Sequence, residues 1–325
     1  MKQLLFVCGF GSGGTDLTKT ILNAHPDIHI ADEIPHLGSI GAKGYQTNLC
    51  FDSIKDIREF QKVLRELDVS YGIENLGHSF DADIAEKQTI SRDEVLRRCF
   101  SSAEMVVWGA KAPSKLTEIT NFAELFPDAR FLIITRDVRD VCLSWQKKWG
   151  KDAIWCAAKW ATRMRAGWEV TRRLPDDRYL FVKFEDFLAD TEMNCARICA
   201  FLRIPFSDRM LHHHLYTGAM RGKINYGQPI RRDNRDKWRT QLPRGLVRRI
   251  EEIAYDTMEL LGYQPEITSY RKPMTRYEKL RGVCRDSWAM LFVGNRASSN
   301  NTLRRRLQTV SGEIRGLLLR IPRSD

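Results

Sequence analysis

Two short stretches carry groups suited to holding a phosphate. The first, CGFGSGGTDLTK at 8–19, leads from an apolar run through glycines into a helical pattern. Such a start aims several backbone N–H groups at one spot, at the positive end of a helix, where an anion can sit. It is not a Walker A loop: Gly14 follows Gly9 at the right interval, but Thr15 stands where the lysine is required. A tight turn needs the same glycines, so the run alone reads equally as a turn or as an anion cradle. The second stretch, TRDVRDVCLSW at 135–145, sets Arg136 at the end of an apolar run and Ser144 two helical turns later. A guanidinium forks onto phosphate oxygens and a hydroxyl adds one donor. The other reading is a surface network among Arg136, Asp137, Arg139 and Asp140.

Both stretches depend on the elements that place them. Apolar runs at 4–8, 105–108, 130–135 and 179–182 read as strands. Helical spacing follows at Leu17, Ile21 and Leu22, ending near Pro26, and again around 115–126, 138–148 and 153–174. This alternation predicts an α/β fold: a P-loop-like open, mostly parallel sheet flanked by helices. In such sheets ligands sit at the carboxyl ends of the strands, where the glycine turn and Arg136 both fall. Residues 51–102 read as a helical insertion, with Ile54, Ile57, Val63, Leu64 and Leu67 on one face. Ser91 and Glu94 form a capping box there.

The 325 residues are 43% hydrophobic and 29% charged, with a net charge of +11, which excludes fibrous, disordered and disulfide-scaffold classes. The basic excess concentrates at 264–325, where 13 basic residues face 5 acidic ones. The expected division is therefore an α/β domain at 1–263 and a basic helical C-terminal extension at 264–325. Within that extension, 303–321 (LRRRLQTVSGEIRGLLLRI) reads as an amphipathic basic helix. It either packs on the domain or docks on an anionic membrane surface. No apolar run is long enough to span a bilayer. Eight scattered cysteines without paired spacing read as reduced core residues of a cytoplasmic protein. His212, His213 and His214 are consecutive and cannot all face one metal, so no metal site is expected. Trp145, Trp149, Trp155, Trp160 and Trp168 read mainly as core. The tail carries no nucleic-acid motif, and no nucleic-acid partner is expected.

Taken in order, these motifs resemble the sulfotransferases that use 3′-phosphoadenosine 5′-phosphosulfate (PAPS), in the branch with tyrosylprotein, carbohydrate and bacterial members. The resemblance covers about residues 3–262. It rests on FVCGFGSGGTDLTKTILNAHPDI, WGAKAP at 108–113, ELFPDARFLIITRDVRDVCLSW at 124–145, YLFVKFEDFLAD at 179–190 and KWR at 237–239. It implies transfer of the sulfonyl group of PAPS to an acceptor hydroxyl, of a saccharide, a lipid-linked glycan or a small metabolite. The product is adenosine 3′,5′-bisphosphate (PAP), and no metal is needed. It implies that the loop of Ser12, Gly13, Gly14, Thr15 and Asp16 holds the 5′-phosphate and sulfonate end. Arg136 and Ser144 would take the 3′-phosphate, and Lys237, Trp238 and Arg239 would close over the nucleotide. Glu33 falls at the position of the catalytic base and Lys111 near the transferring group. Two departures stand out. Ser12 occupies a position normally held by Lys or Arg, whose charge helps the bridging oxygen, and Phe184 stands where the family often has Tyr. The first keeps open a non-catalytic PAPS- or PAP-binding relative; a small-molecule kinase is the remaining reading. Contact with the inner face of an anionic membrane through 303–321 completes the expectation.

Overall fold

The computed structural model describes residues 3–31, 48–49, 90–91, 105–112, 116–216 and 228–292. In chain order the elements are β1 (Gln3–Gly9), α1 (Thr15–Leu22), β2 (Ile28–Ala31), β3 (Asn48–Leu49), β4 (Ile90–Ser91), β5 (Val107–Lys111), α2 (Ile119–Leu125) and β6 (Arg130–Thr135). Then come α3 (Val138–Trp149), α4 (Ala153–Thr171), β7 (Tyr179–Lys183), α5 (Phe184–Ala189), α6 (Thr191–Phe201), α7 (His213–Tyr216), α8 (Trp238–Gln241), α9 (Arg244–Leu260) and α10 (Arg276–Phe292).

Five strands form one parallel sheet in the order β2-β5-β1-β6-β7, and β3 pairs antiparallel with β4. The α/β expectation therefore holds. Alternation along each strand splits the core into two layers. Phe6 and Cys8 of β1, with Phe131 and Ile133 of β6, face Val141 of α3, Trp160 of α4 and Ile250 of α9. Leu5, Val7, Leu132 and Ile134 face Ile21 and Leu22 of α1 and Ile198 of α6. Each such side chain, buried to within a few percent, contributes about 1.5–3 kcal/mol relative to exposure.

The expected strands and helices are found, with shifted ends. β5 begins at Val107 because Met105 and Val106 are 39% exposed, and it runs on to Lys111. Its middle is Gly109, where an added Cβ would lie 1.7 Å from the Leu5 carbonyl oxygen of β1. The apolar reading ended at Trp108 because a glycine that close to a neighbouring backbone has no hydrophobic signature. β2, four residues on the sheet edge against β5, was too short to register as a separate strand. Helix α3 starts at an Asp137 cap, whose side chain accepts from Arg139 N, and stops at Gly150 in the left-handed region. Most of the 51–102 insertion and all of 303–321 lie outside the described residues.

Cys8, Cys142, Cys156, Cys195 and Cys199 are free and buried, as expected, whereas Cys284 is free and exposed. Trp145 and Trp160 are core residues, while Trp149, Trp155 and Trp168 are half-buried. Among the described residues no helix is long and apolar enough to cross a membrane, and no group of His, Cys, Asp and Glu stands together as a metal ligand set.

Candidate functional site

The glycine loop leaves the central strand and is held from both sides. Gly13 N donates to the Phe10 carbonyl at 2.8 Å, closing the turn. Trp145 Nε1 donates to the Gly11 carbonyl at 3.1 Å, and its ring stacks on Phe10. Gly14 caps α1 at φ 100°, and a Cβ there would lie 2.2 Å from the Phe184 ring. Conformation and close approach both demand glycine. Having no side chain, Gly14 offers no cap to the N–H groups of the first turn, whose partial positive charge lies at the carboxyl end of the central strand. Ser12 also sits in the left-handed region, at φ 66°.

Arg136 follows β6 directly and is 8% exposed. Its Nη1 donates to the Ser12 carbonyl at 3.1 Å and its Nη2 to the Asn234 carbonyl at 3.0 Å. The guanidinium lies 4.7 Å from the Phe184 ring centroid. Among the described residues its Nε is buried without a hydrogen-bond partner, and so is the Ser12 hydroxyl. A buried cation bonded only to carbonyls, with one donor unused, is costly unless an anion completes it.

The acidic neighbours in the motif do not supply that anion. Arg139 takes Asp137 instead, forking onto it, and its Nη1 donates to Glu251 Oε1 at 2.7 Å. Of the surface network read from sequence, only the Arg139–Asp137 pair is present, and it is buried; Arg136 makes no ion pair to a described residue. Asp140 accepts from Trp238 N at 3.0 Å; burial raises its pKa, while the charge of Arg136 opposes that rise.

The KWR segment is brought to the same place. Trp238 is 4% exposed, with the guanidinium of Arg139 3.9 Å and that of Arg239 4.5 Å from its ring. It thus anchors the segment. Lys237 Nζ donates to Asn234 Oδ1 at 3.0 Å, and Arg239 forks onto Glu266. Lys111, 5% exposed at the end of β5, is ion-paired with Asp16 in the first turn of α1. Thr15 is buried at the start of that turn, and Ser144 is half-buried on α3. Glu33 lies outside the described residues. Of the expected site residues, then, the structure joins Ser12 and Arg136 directly, links both to the 234–239 segment, and pairs Asp16 with Lys111.

Sequence reasoning missed the supports. Asn234 orients Arg136 through a backbone carbonyl, which leaves no trace in residue type. Glu251, fully buried, accepts from Arg139 and from the N–H groups of Glu266, Ile267 and Thr268. Tyr263 donates to Glu185 Oε2 at 3.0 Å and meets the Thr135 hydroxyl at 3.2 Å, while Glu185 Oε1 accepts from Asp137 N. Burial raises the Glu185 pKa to about 6.

Comparison with known proteins agrees with this geometry. A model described as the Sulfotransferase family matches residues 5–208. The chain is 25% identical over 288 residues to protein-tyrosine sulfotransferase A of Caenorhabditis elegans, covering 84% of this chain and 70% of that one. It is 26% identical over 289 residues to the protein-tyrosine sulfotransferase of Drosophila melanogaster, covering 83% of this chain but only 54% of that protein. In fold it is similar to the sulfotransferase domain of the Synechococcus PCC 7002 olefin synthase, with a TM-score of 0.59 and 20% identity, covering 79% of this chain and 96% of that one. The sulfotransferase domain from the curacin biosynthetic pathway gives the same TM-score at 17% identity, covering 82% and 99%.

Proposed function

The chain belongs to the sulfotransferase family, and we propose that it moves the sulfonyl group of PAPS to an acceptor hydroxyl and releases PAP. The observation that carries this reading is Arg136: a desolvated guanidinium with an unused Nε, set beside the glycine loop at the end of the adjoining strand. Those are the needs of a nucleotide with phosphates at both ends. Gly13, Gly14 and Thr15 hold its 5′ end through N–H groups at the α1 N-terminus. Arg136, with Ser144, takes the 3′-phosphate; Phe184, expected from the resemblance at the adenine, is buried beneath Gly14 and Arg136 and supports the loop instead. Lys237 and Arg239 close the site, with Trp238 as their anchor.

Transfer is an in-line displacement. The acceptor oxygen bonds to sulfur as the bond from sulfur to the bridging oxygen breaks, and the electron pair leaves with the 5′-phosphate. Fixed N–H donors and a cation where that charge grows lower the barrier. Lys111, ion-paired with Asp16, is the candidate for that cation. The acceptor proton goes to a carboxylate, for which Glu33 is the candidate. A saccharide, a lipid-linked glycan and a small metabolite are the acceptors proposed from sequence. The names of the relatives add a peptide tyrosine to the screen.

A second reading, a non-catalytic PAP-binding protein, is favoured by Ser12 in place of a loop cation and by Asp16 neutralising Lys111. Calorimetric titration of PAP against ATP and AMP, on wild type and Arg136→Ala, tests the nucleotide assignment. Labelled sulfate transfer across the acceptor panel then separates enzyme from binder. ATP binding without PAP binding would replace both with a kinase. A cytoplasmic chain with a 1–263 domain, touching an anionic membrane through 303–321, is part of the same proposal, supported by the charge and period of that segment.

A further inference from the structure

Helix α10 has an outer face that the nucleotide site does not use. Its inner face packs on α4: Gly282 lies against Trp155, Val283 and Ala289 are buried, and Asp286, fully buried, receives Lys159 at 3.2 Å. The outer face repeats at three and four residues, with Tyr277 72%, Leu280 51% and Trp288 58% exposed and the exposed Cys284 between them. Arg276, Arg281 and Arg285 flank this row and are exposed.

Charge is sorted between the two faces. Both acids of α10 are committed inward or sideways, Asp286 to Lys159 and Glu278 to the Arg249 fork. Arg281 reaches Asp152 at 3.3 Å and Arg285 donates to the Gly150 carbonyl, but Arg276 and Lys279 meet no carboxylate among the described residues. The outer face is thus aromatic and aliphatic in the middle and cationic at its edges. The chain beyond it, 293–325, adds 7 basic residues against 2 acidic ones.

We propose that the outer face of α10 is a docking surface for an anionic lipid bilayer, with Tyr277, Leu280 and Trp288 at the headgroup–acyl boundary and the flanking cations on lipid phosphates. Tyr and Trp favour that boundary because each ring has an apolar body and a polar edge. A helix fixed on a folded domain loses no folding entropy on docking, so three apolar side chains and a few cations suffice for reversible binding. The proposal extends the membrane reading of 303–321 to a second element and is independent of the nucleotide assignment.

The test is co-sedimentation of the full chain with vesicles of phosphatidylcholine alone or mixed with phosphatidylserine. Three proteins are compared: wild type, Leu280→Gln/Trp288→Gln, and Arg304→Gln/Arg305→Gln/Arg306→Gln. A wild type that binds only the anionic vesicles, and binds roughly tenfold or more weakly after the α10 change, supports the proposal. In parallel, the maleimide reaction of Cys284, read by peptide mass spectrometry, slows several-fold with anionic vesicles and is unchanged by neutral ones. If the α10 variant binds like wild type while the tail variant does not, the tail alone docks and the proposal falls. If nothing binds either vesicle, the membrane reading of the tail falls with it. Dimerisation of wild type that the α10 change abolishes would make the occupant a second copy and overturn the lipid assignment.

Discussion

Arg136 shows how much a single side chain decides. Its charge sits 8% exposed against carbonyls and an aromatic face, with one donor unused. A bound phosphate converts that cost into a pair of charge-assisted hydrogen bonds of about 1.5–3 kcal/mol each. Arg136→Ala is therefore expected to weaken PAP binding on the order of a hundredfold or more. Arg136→Lys keeps the charge but loses the fork, so calorimetry should place it between wild type and Ala. Equal affinity in all three would remove the 3′-phosphate from this position. Gly14 is decided by space and conformation together. Gly14→Ala puts a Cβ 2.2 Å from Phe184 at φ 100° and is expected to cost at least 1–2 kcal/mol in a urea melt. At this scale the sequence was informative: residue type and spacing singled out the glycine turn and Arg136, and the resemblance added Ser12, before any contact was visible. What it could not supply was the unused Nε, since an absent partner is a property of the fold.

At the scale of elements, the site is held by carboxylates that never touch it. Glu251 of α9 and Asp137 at the α3 cap grip Arg139, Arg139 covers Trp238, and Trp238 fixes the 234–239 segment whose Asn234 carbonyl orients Arg136. Arg139→Ala would leave two carboxylates buried without their cation, which costs about 3–5 kcal/mol. A lowered urea midpoint is expected, with PAP binding weakened even though Arg139 does not face the nucleotide. Undiminished PAP affinity in a folded Arg139→Ala protein would show that the segment does not depend on this clamp. Glu185 joins β7, α5 and Tyr263 behind the same cap. Its folded pKa, about 6, lies above the ordinary 4.5 because it is buried. The fold therefore favours the protonated form: the contribution is complete below pH 4.5 and is lost as pH rises through about 6. A shift of that size corresponds to about 2 kcal/mol. Glu185→Gln should flatten the thermal stability profile across that window, which melts from pH 4 to 7 would read; a profile as steep as wild type would assign the slope to another group. Of these pairings only Arg139 with Asp137 was legible in sequence, as neighbours in one motif. Arg139 and Glu251 are 112 residues apart, and a buried ion pair has no period.

At the scale of the molecule, the legible part was what repeats. Strand runs and helical spacing in alternation gave the parallel sheet and the layer on each side of it, because burial on both faces imposes a pattern that composition alone records. Short edge strand β2 and the glycine in β5 escaped for the converse reason: one is too brief for a period, and the other is defined by the neighbour's backbone. The sheet order β2-β5-β1-β6-β7 explains why the site gathers where it does. The connections run to opposite sides of β1, toward β2 and toward β6, so the loops leaving β1 and β6 part at that point and open a crevice at their carboxyl ends. The glycine loop and Arg136 border that crevice, from strands that are neighbours in space but 125 residues apart in sequence, Leu5 pairing with Arg130 and Phe6 with Phe131. A ligand bridging the two loops therefore ties the centre of the sheet together and must stabilise the whole fold. With PAP at a hundred times its dissociation constant, the gain is about 2.7 kcal/mol, or several degrees of melting temperature for a domain of this size. AMP has the 5′-phosphate but lacks the 3′-phosphate, so it engages the glycine loop without Arg136 and should raise the melting temperature far less at the same concentration. In Arg136→Ala the two nucleotides should become nearly equivalent. Equal shifts by PAP and AMP in the wild type would mean that one loop carries the nucleotide alone, and that the crevice between β1 and β6 is not where it lies.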